Sequence, residues 1–332
     1  MPDPEIVVPQ SPAPAPTPAP QPPNEIFYGP NGIRAGWRVI IFLALVVLVT
    51  LVLITPFVLM RALRGAGPQV GIGVGGLTPL GLGISEGSLF IIPSIAALIM
   101  ARIEHRKYGQ YGLPVRFAFR KDFWIGILVG FLAISGCLLG IFAFHGFHLT
   151  GLAIHGSTIA SATAAWGVTF VIVGLAEEFS FRGYLQYTLT TGMGFWPFTL
   201  VASDGFWPSA ILMSALFGVA HMGNPGETWF GLFSVVLFGL LFCLFLRRTG
   251  NLWWAVGFHA GWDWGQTFFY GVPDSGIAPY HNLFGSAFDG PRWLTGGSVG
   301  PEASVFTPIV LVLVAILFTR VYRENKYRTT ES

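Results

Sequence analysis

The stretch Ala176-Glu177-Glu178-Phe179-Ser180-Phe181-Arg182 sets two carboxylates and a guanidinium inside a strongly apolar run. Charge in a membrane helix is costly, so an ionisable group there is retained for a function or a specific partner. Two later apolar runs carry polar groups of their own, Phe217 with His221 and His259 with Asp263. Three helices that supply Glu, His, His and Asp predict a catalytic or metal site buried in a bundle.

Composition sets the class. The chain has 332 residues, 53% hydrophobic and only 10% charged, against about 25% charged in a soluble domain. This predicts an all-α, polytopic transmembrane helix bundle. A formal net charge of +2 gives no reason to expect a nucleic-acid partner; the bilayer is the expected environment. Cys137 and Cys243 each lie in an apolar run and read as small hydrophobes rather than as a disulfide, a nucleophile or metal ligands.

A span needs about 20 apolar residues. Eight candidates follow: Trp37–Met60, Leu80–Ala101, Phe123–Phe144, Ile159–Leu185, Trp207–Met222, Trp229–Leu246, Leu252–Tyr270 and Val305–Val321. The stretch Gln186–Phe206 is also apolar, with Phe195, Trp196, Phe198 and Leu200, but Gly and Pro interrupt it. It reads as an interfacial or re-entrant piece. The chain then divides into a Pro- and Ala-rich tail (1–32), N-terminal membrane helices (33–158), a catalytic helix core (159–270), a long external loop (271–304), and a last span with a basic tail (305–332). The tail has no apolar core of a signal peptide and reads as disordered and cytoplasmic.

The basic residues orient the spans. Arg34 and Arg38 precede the first span, and Arg102, Arg106, Lys107, Arg116, Arg120 and Lys121 fill the loop after the second. Arg247 and Arg248 follow the sixth; Arg320, Arg323, Lys326 and Arg328 follow the eighth. With alternating spans all of these share one side, which is then the cytoplasm. Arg61 and Arg64 are the exceptions. Both termini are expected in the cytoplasm of a bacterial inner-membrane protein. Glu177 then falls towards the cytoplasmic end of the fourth span and His221 late in the fifth. The two meet only if the Gln186–Phe206 stretch dips into the membrane or the fifth span starts shallowly.

Residues four apart share a helix face. Glu178 and Arg182 form such a pair in the favourable order, which makes them structural and leaves Glu177 free to face the interior. His259 and Asp263 share one face, His221 and Phe217 another. A buried glutamate helped by a histidine can activate water as a general base. Alternatively, Glu177, His221, His259 and Asp263 can supply ligands for zinc or another divalent metal, with a position open for water. Either chemistry gives hydrolysis. There is no G-x-S-x-G elbow and no H-E-x-x-H run. Two rivals remain: a non-catalytic membrane immunity or chaperone-like protein, and a proton-coupled transporter.

Together the three groups resemble the CPBP family of intramembrane proteases, which holds the prenyl-protein (CAAX) endopeptidases and the Abi-like bacteriocin self-immunity proteins. Its motifs EExxxR, FxxxH and HxxxN/D correspond in order and spacing to Glu177–Arg182, Phe217–His221 and His259–Asp263, within about residues 160–270. The resemblance implies a membrane-embedded, metalloendopeptidase-like enzyme acting on a peptide or protein that is prenylated or membrane-bound, reached from the cytoplasmic side. It implies Glu177 as the base that activates water with help from His221, and His259 and Asp263 as the oxyanion or metal site. Glu178, Arg182 and Phe217 would support them. Both a metal-dependent and a metal-free glutamate mechanism fit the motifs. An ionised Asp263 cannot donate to an oxyanion as an asparagine would, which tilts the reading towards metal.

Overall fold

A computed structural model of the chain describes residues 26–29, 32–63, 78–193, 204–278 and 280–329. The Pro- and Ala-rich segment up to residue 25, Arg64, and residues 194–203 with Phe195, Trp196, Phe198 and Leu200 lie outside the described residues. Helices occupy the positions of all eight expected spans. They are α1 (Ala35–Leu63), α2 (Pro79–Ile103), α3 (Lys121–Ala143), α4 (Ser157–Arg182) continued by α5 (Tyr184–Gly192), α6 (Phe206–Ala220), α7 (Trp229–Thr249), α8 (Trp253–Asp263) and, beyond the short α9 (Arg292–Thr295), α10 (Phe306–Val321). Six of these segments are long and apolar enough to cross a membrane. The two at α8 and α10 are shorter, with 11 and 16 residues.

Local chemistry starts and stops these helices. Thr78 caps α2 by accepting from the Gly81 N–H, with Pro79 in the first turn; Thr228 caps α7 through Gly231 in the same way. Such a side-chain oxygen satisfies a backbone donor that the helix itself leaves unpaired. Gly250 ends α7 in the left-handed conformation at φ 77°, where a side chain would clash.

Polarity runs inside out. Glu178, Arg182, Gln186, Ser214 and Gln266 are buried, whereas Leu128, Leu132 and Leu139 on α3 and Leu313 and Leu317 on α10 are exposed. Only 6% of the α1 span is buried against the rest of the protein. Hydrocarbon outside and polar groups inside are what a bilayer solvent demands, so this is an integral membrane protein.

Because lipid is as apolar as leucine, helices in a membrane associate by close packing, which small residues allow. Here α3 and α8 meet backbone to backbone along a seam of four glycines. A Cβ placed on Gly126 would lie 2.5 Å from the Trp254 carbonyl oxygen, and one on Gly130 would lie 2.1 Å from that of Phe258. On the facing helix, Cβ atoms on Gly257 and Gly261 would each come within 2.1 Å of the Phe123 and Ile127 carbonyl oxygens, respectively. On its other flank α8 meets α4 at Gly174, where a Cβ would stand 2.9 Å from the Val256 oxygen.

The fourth span differs from the expectation. Helix does not stop near Leu185. It breaks at Gly183, where a Cβ would stand 2.4 Å from the Phe179 oxygen, and resumes at once as α5. The result is one apolar span of 36 residues, Ser157–Gly192. Residues 186–192 are therefore helical, because the Gly and Pro breakers of that stretch come only from Gly192 onward. Glu177 stands near the middle of the longer span.

A small sheet closes one end. Strand β1 (Phe147–Leu152), which follows α3, pairs antiparallel with β2 (Phe284–Phe288) of the long loop; Phe147 sits opposite Phe288, and a register shift falls between Leu149 and Gly151. The all-α expectation did not include this pair.

Candidate active site

Glu178 and Arg182, one turn apart on α4, form an ion pair of 3.3 Å with both side chains fully buried. The Nε and Nη2 atoms of Arg182 have no hydrogen-bond partner among the described residues. Aromatic faces stand there instead: the guanidinium carbon lies 4.3 Å from the ring centre of Phe217 and 5.4 Å from that of Phe242. A ring's negative face attracts a cation, most strongly away from water.

His259 stands on α8 in a cage of three carboxylates. Its Nδ1 is 3.1 Å from Glu178 Oε1, the oxygen that also receives Arg182. Its Nε2 is 3.6 Å from Glu177 Oε2 and 3.4 Å from Asp263 Oδ2. Phe242 of α7 stacks on the imidazole at 5.2 Å with the planes 13° apart. The histidine is thus held at both ring nitrogens and across one face, which fixes its orientation without a covalent tie.

His221 lies just past the end of α6. Its Nδ1 is 2.8 Å from the Phe217 carbonyl oxygen. A carbonyl only accepts, so Nδ1 carries the hydrogen and Nε2 of the neutral ring presents a lone pair. The Phe217 ring meets His221 edge on at 4.6 Å, so this one phenylalanine touches both the arginine and the histidine.

Glu177, His221, His259 and Asp263 line one cavity of about 510 Å³. Glu178 is not among its lining residues and stands behind His259. No hydrogen bond or ion pair joins His221 to Glu177 among the described residues. They share the cavity all the same.

Four further groups reach the cavity that the sequence reading did not assign. Phe242 is one; Glu86 of α2 is another, with its Oε2 buried and without a hydrogen-bond partner among the described residues. The other two, Asp274 and Glu302, come from the long loop. That loop is tied down step by step. The indole of Trp262 donates to Gln266 Oε1 at 2.7 Å, and Gln266 Nε2 donates to the Pro273 carbonyl at 2.8 Å. Thr267 donates to Asp274 Oδ2 at 2.7 Å, and the Ser275 N–H donates to Glu302 Oε2 at 3.0 Å. Residues Trp264–Phe269 form a π-helical turn between α8 and the loop, a distortion common at functional sites. Burial raises the carboxyl of Asp274 above its ordinary value and that of Glu302 well above it; for Glu302 the nearby Asp274 and Asp263 add to the effect.

Among the described residues, no three His, Cys, Asp or Glu groups are placed to hold one ion. Both nitrogens of His259 are turned to carboxylates. The arrangement orients a histidine within carboxylates.

Residues 159–265 match the family model described as type II CAAX prenyl endopeptidase, Rce1-like. The matched segment runs from the first turn of α4 through α8 and contains all three motifs, and it bears out the resemblance read from the sequence over nearly the same residues. At the level of the family it supports an intramembrane endopeptidase, with a peptide or protein substrate in a membrane setting. Helices α1 to α3, the long loop and α10 lie outside the match. No curated protein matches the chain.

Proposed function

We propose that this protein hydrolyses a peptide bond inside the bilayer, with Glu177 as the base that activates water. The observation that carries the reading is the approach of Glu177 and Asp263, at 3.6 and 3.4 Å, to the single imidazole nitrogen Nε2 of His259, in a cavity that His221 also lines. Water held between Glu177 and the lone pair of His221 loses a proton to Glu177 as its oxygen attacks the carbonyl carbon. Charge develops on the carbonyl oxygen, and an N–H on His259 Nε2 stabilises it. The Nδ1–H of His259 donates to Glu178, and Arg182 keeps that carboxylate in place. Asp263 holds the imidazole from the opposite side. Glu177 then returns its proton to the leaving nitrogen as the C–N bond breaks, so the enzyme ends as it began. Dry apolar walls strengthen each of these interactions.

The test is cleavage by detergent-purified protein of a peptide library that includes farnesylated C-terminal peptides, with metal content measured on the same sample. Glu177→Gln should lower the rate by about 10²–10⁴-fold, the usual size of a general-base contribution, with unchanged elution and unfolding temperature. Full activity of Glu177→Gln sinks the proposal. Activity lost on chelation and restored by zinc replaces Glu177 with a metal as the activator of water.

A further inference from the structure

The cavity has a definite side. Part of its lining comes from within α4, α7 and α8 (Ser180, Phe242, His259), and the rest from the first part of α2 (Glu86), the end of α6 (His221), the α6–α7 connection (Asn224) and the long loop (Asp274, Ile277, Glu302). With the spans alternating, this second group lies at the end of the bundle away from the basic residues. None of the lining residues belongs to the α2–α3 loop or to the segment after α10.

The basic end is closed by polar packing. Arg38 of α1 and Tyr184 of α5 both donate to Glu104, and Arg106 donates to Tyr187, whose hydroxyl in turn donates to the Thr329 carbonyl. Above that layer lies the buried Glu178–Arg182 pair, with Gln186 and Cys243 beside it. Basic residues gather at this end: Arg34, Arg38, the α2–α3 loop, Arg247, Arg248 and the four after Leu317. At the other end, among the described side chains, stands Arg292. Such a bias puts the basic end in the cytoplasm.

We infer that the cavity admits its substrate from the extracytoplasmic side, so the peptide it cleaves is an exported segment or the outer-half end of a membrane protein. This rests on the hydrolytic reading above and reverses the cytoplasmic access expected from the motifs. A chain approaching from the cytoplasm would have to breach the Glu104 cluster and the buried ion pair, whereas at the other end the cavity is bounded by the α6–α7 connection and the long loop.

Single cysteines test it, and the two native ones, both buried, leave a quiet background. Ser180→Cys deep in the cavity, Asn224→Cys at its rim and Arg116→Cys at the basic end are treated with a cationic, membrane-impermeant thiol reagent. The reagent is added to intact cells and, separately, to inside-out vesicles. The expected result is labelling of Ser180→Cys and Asn224→Cys in cells with loss of labelling in inside-out vesicles, and the reverse for Arg116→Cys. Labelling of Ser180→Cys only in inside-out vesicles, or in neither preparation, overturns the inference. Thiol reactivity needs no turnover, so this outcome is independent of whether Glu177→Gln abolishes cleavage.

Discussion

Glu178 and Arg182 are costly apart and tolerable together. Removing one member of a buried ion pair leaves an uncompensated charge, at about 3–5 kcal/mol, while replacing both is often close to neutral. Arg182→Met should therefore unfold at a markedly lower temperature in detergent. The double variant Glu178→Gln, Arg182→Met should regain most of the loss, since a glutamine oxygen still accepts from His259. A double-mutant cycle on unfolding free energies measures the coupling; purely additive effects would show that the pair is not coupled. At this scale the sequence was informative wherever ionisable residues came in helical spacing within apolar runs. Glu86 obeys the same rule, as a lone acid in the second span, but without a partner four residues away it drew no attention. Phe242 gave no signal, being one of 30 phenylalanines in a chain where aromatic residues mark every span. Its role depends on which ring faces it across the bundle, and spacing along one helix does not encode that.

Helix contacts give a sharper test among the elements. Gly130 and Gly136 lie on the same helix, yet a Cβ at Gly130 would collide with the Phe258 carbonyl while one at Gly136 would meet nothing closer than the Val310 Cγ2 at 3.9 Å. Gly130→Ala should cost about 1–3 kcal/mol, as overpacking does, and should reduce cleavage by shifting His259. Gly136→Ala should match the parent in both thermal unfolding and activity. The long loop responds to pH instead. Asp274 and Glu302 keep their protons to a higher pH folded than unfolded, because burial disfavours their charge. The folded state thus binds more protons, and stability falls as pH rises through and above the ordinary carboxylate range. The groups facing the pair are His259, Glu177, Asp263 and Glu227, with Thr267 and Ser275 as hydrogen-bond donors. Hydrogen-exchange protection across residues 271–304, relative to the intrinsic base-catalysed rate at each pH, should be lower at about pH 8 than at about pH 5, and Asp274→Asn with Glu302→Gln should flatten the difference. The loop's fold was not legible in advance, since Gly- and Pro-rich sequence carries no periodicity and its anchors lie on α8 and the π-helical turn.

At the scale of the molecule, hydropathy placed the eight helical segments well because the bilayer imposes a length on each run. It did not show that helix resumes after Gly183 and runs from Tyr184 to Gly192, because a bend at a glycine looks in sequence like a stop. The glycine seam has a consequence of its own. His259 and Asp263 ride on a helix whose backbone rests directly on that of α3, with no side chain between them to change rotamer. This half of the cavity is a fixed jaw. The opposite wall, from α2 and α6, is not part of the seam, so any widening of the cavity for an incoming peptide would fall to that wall while the imidazole of His259 stays where it is.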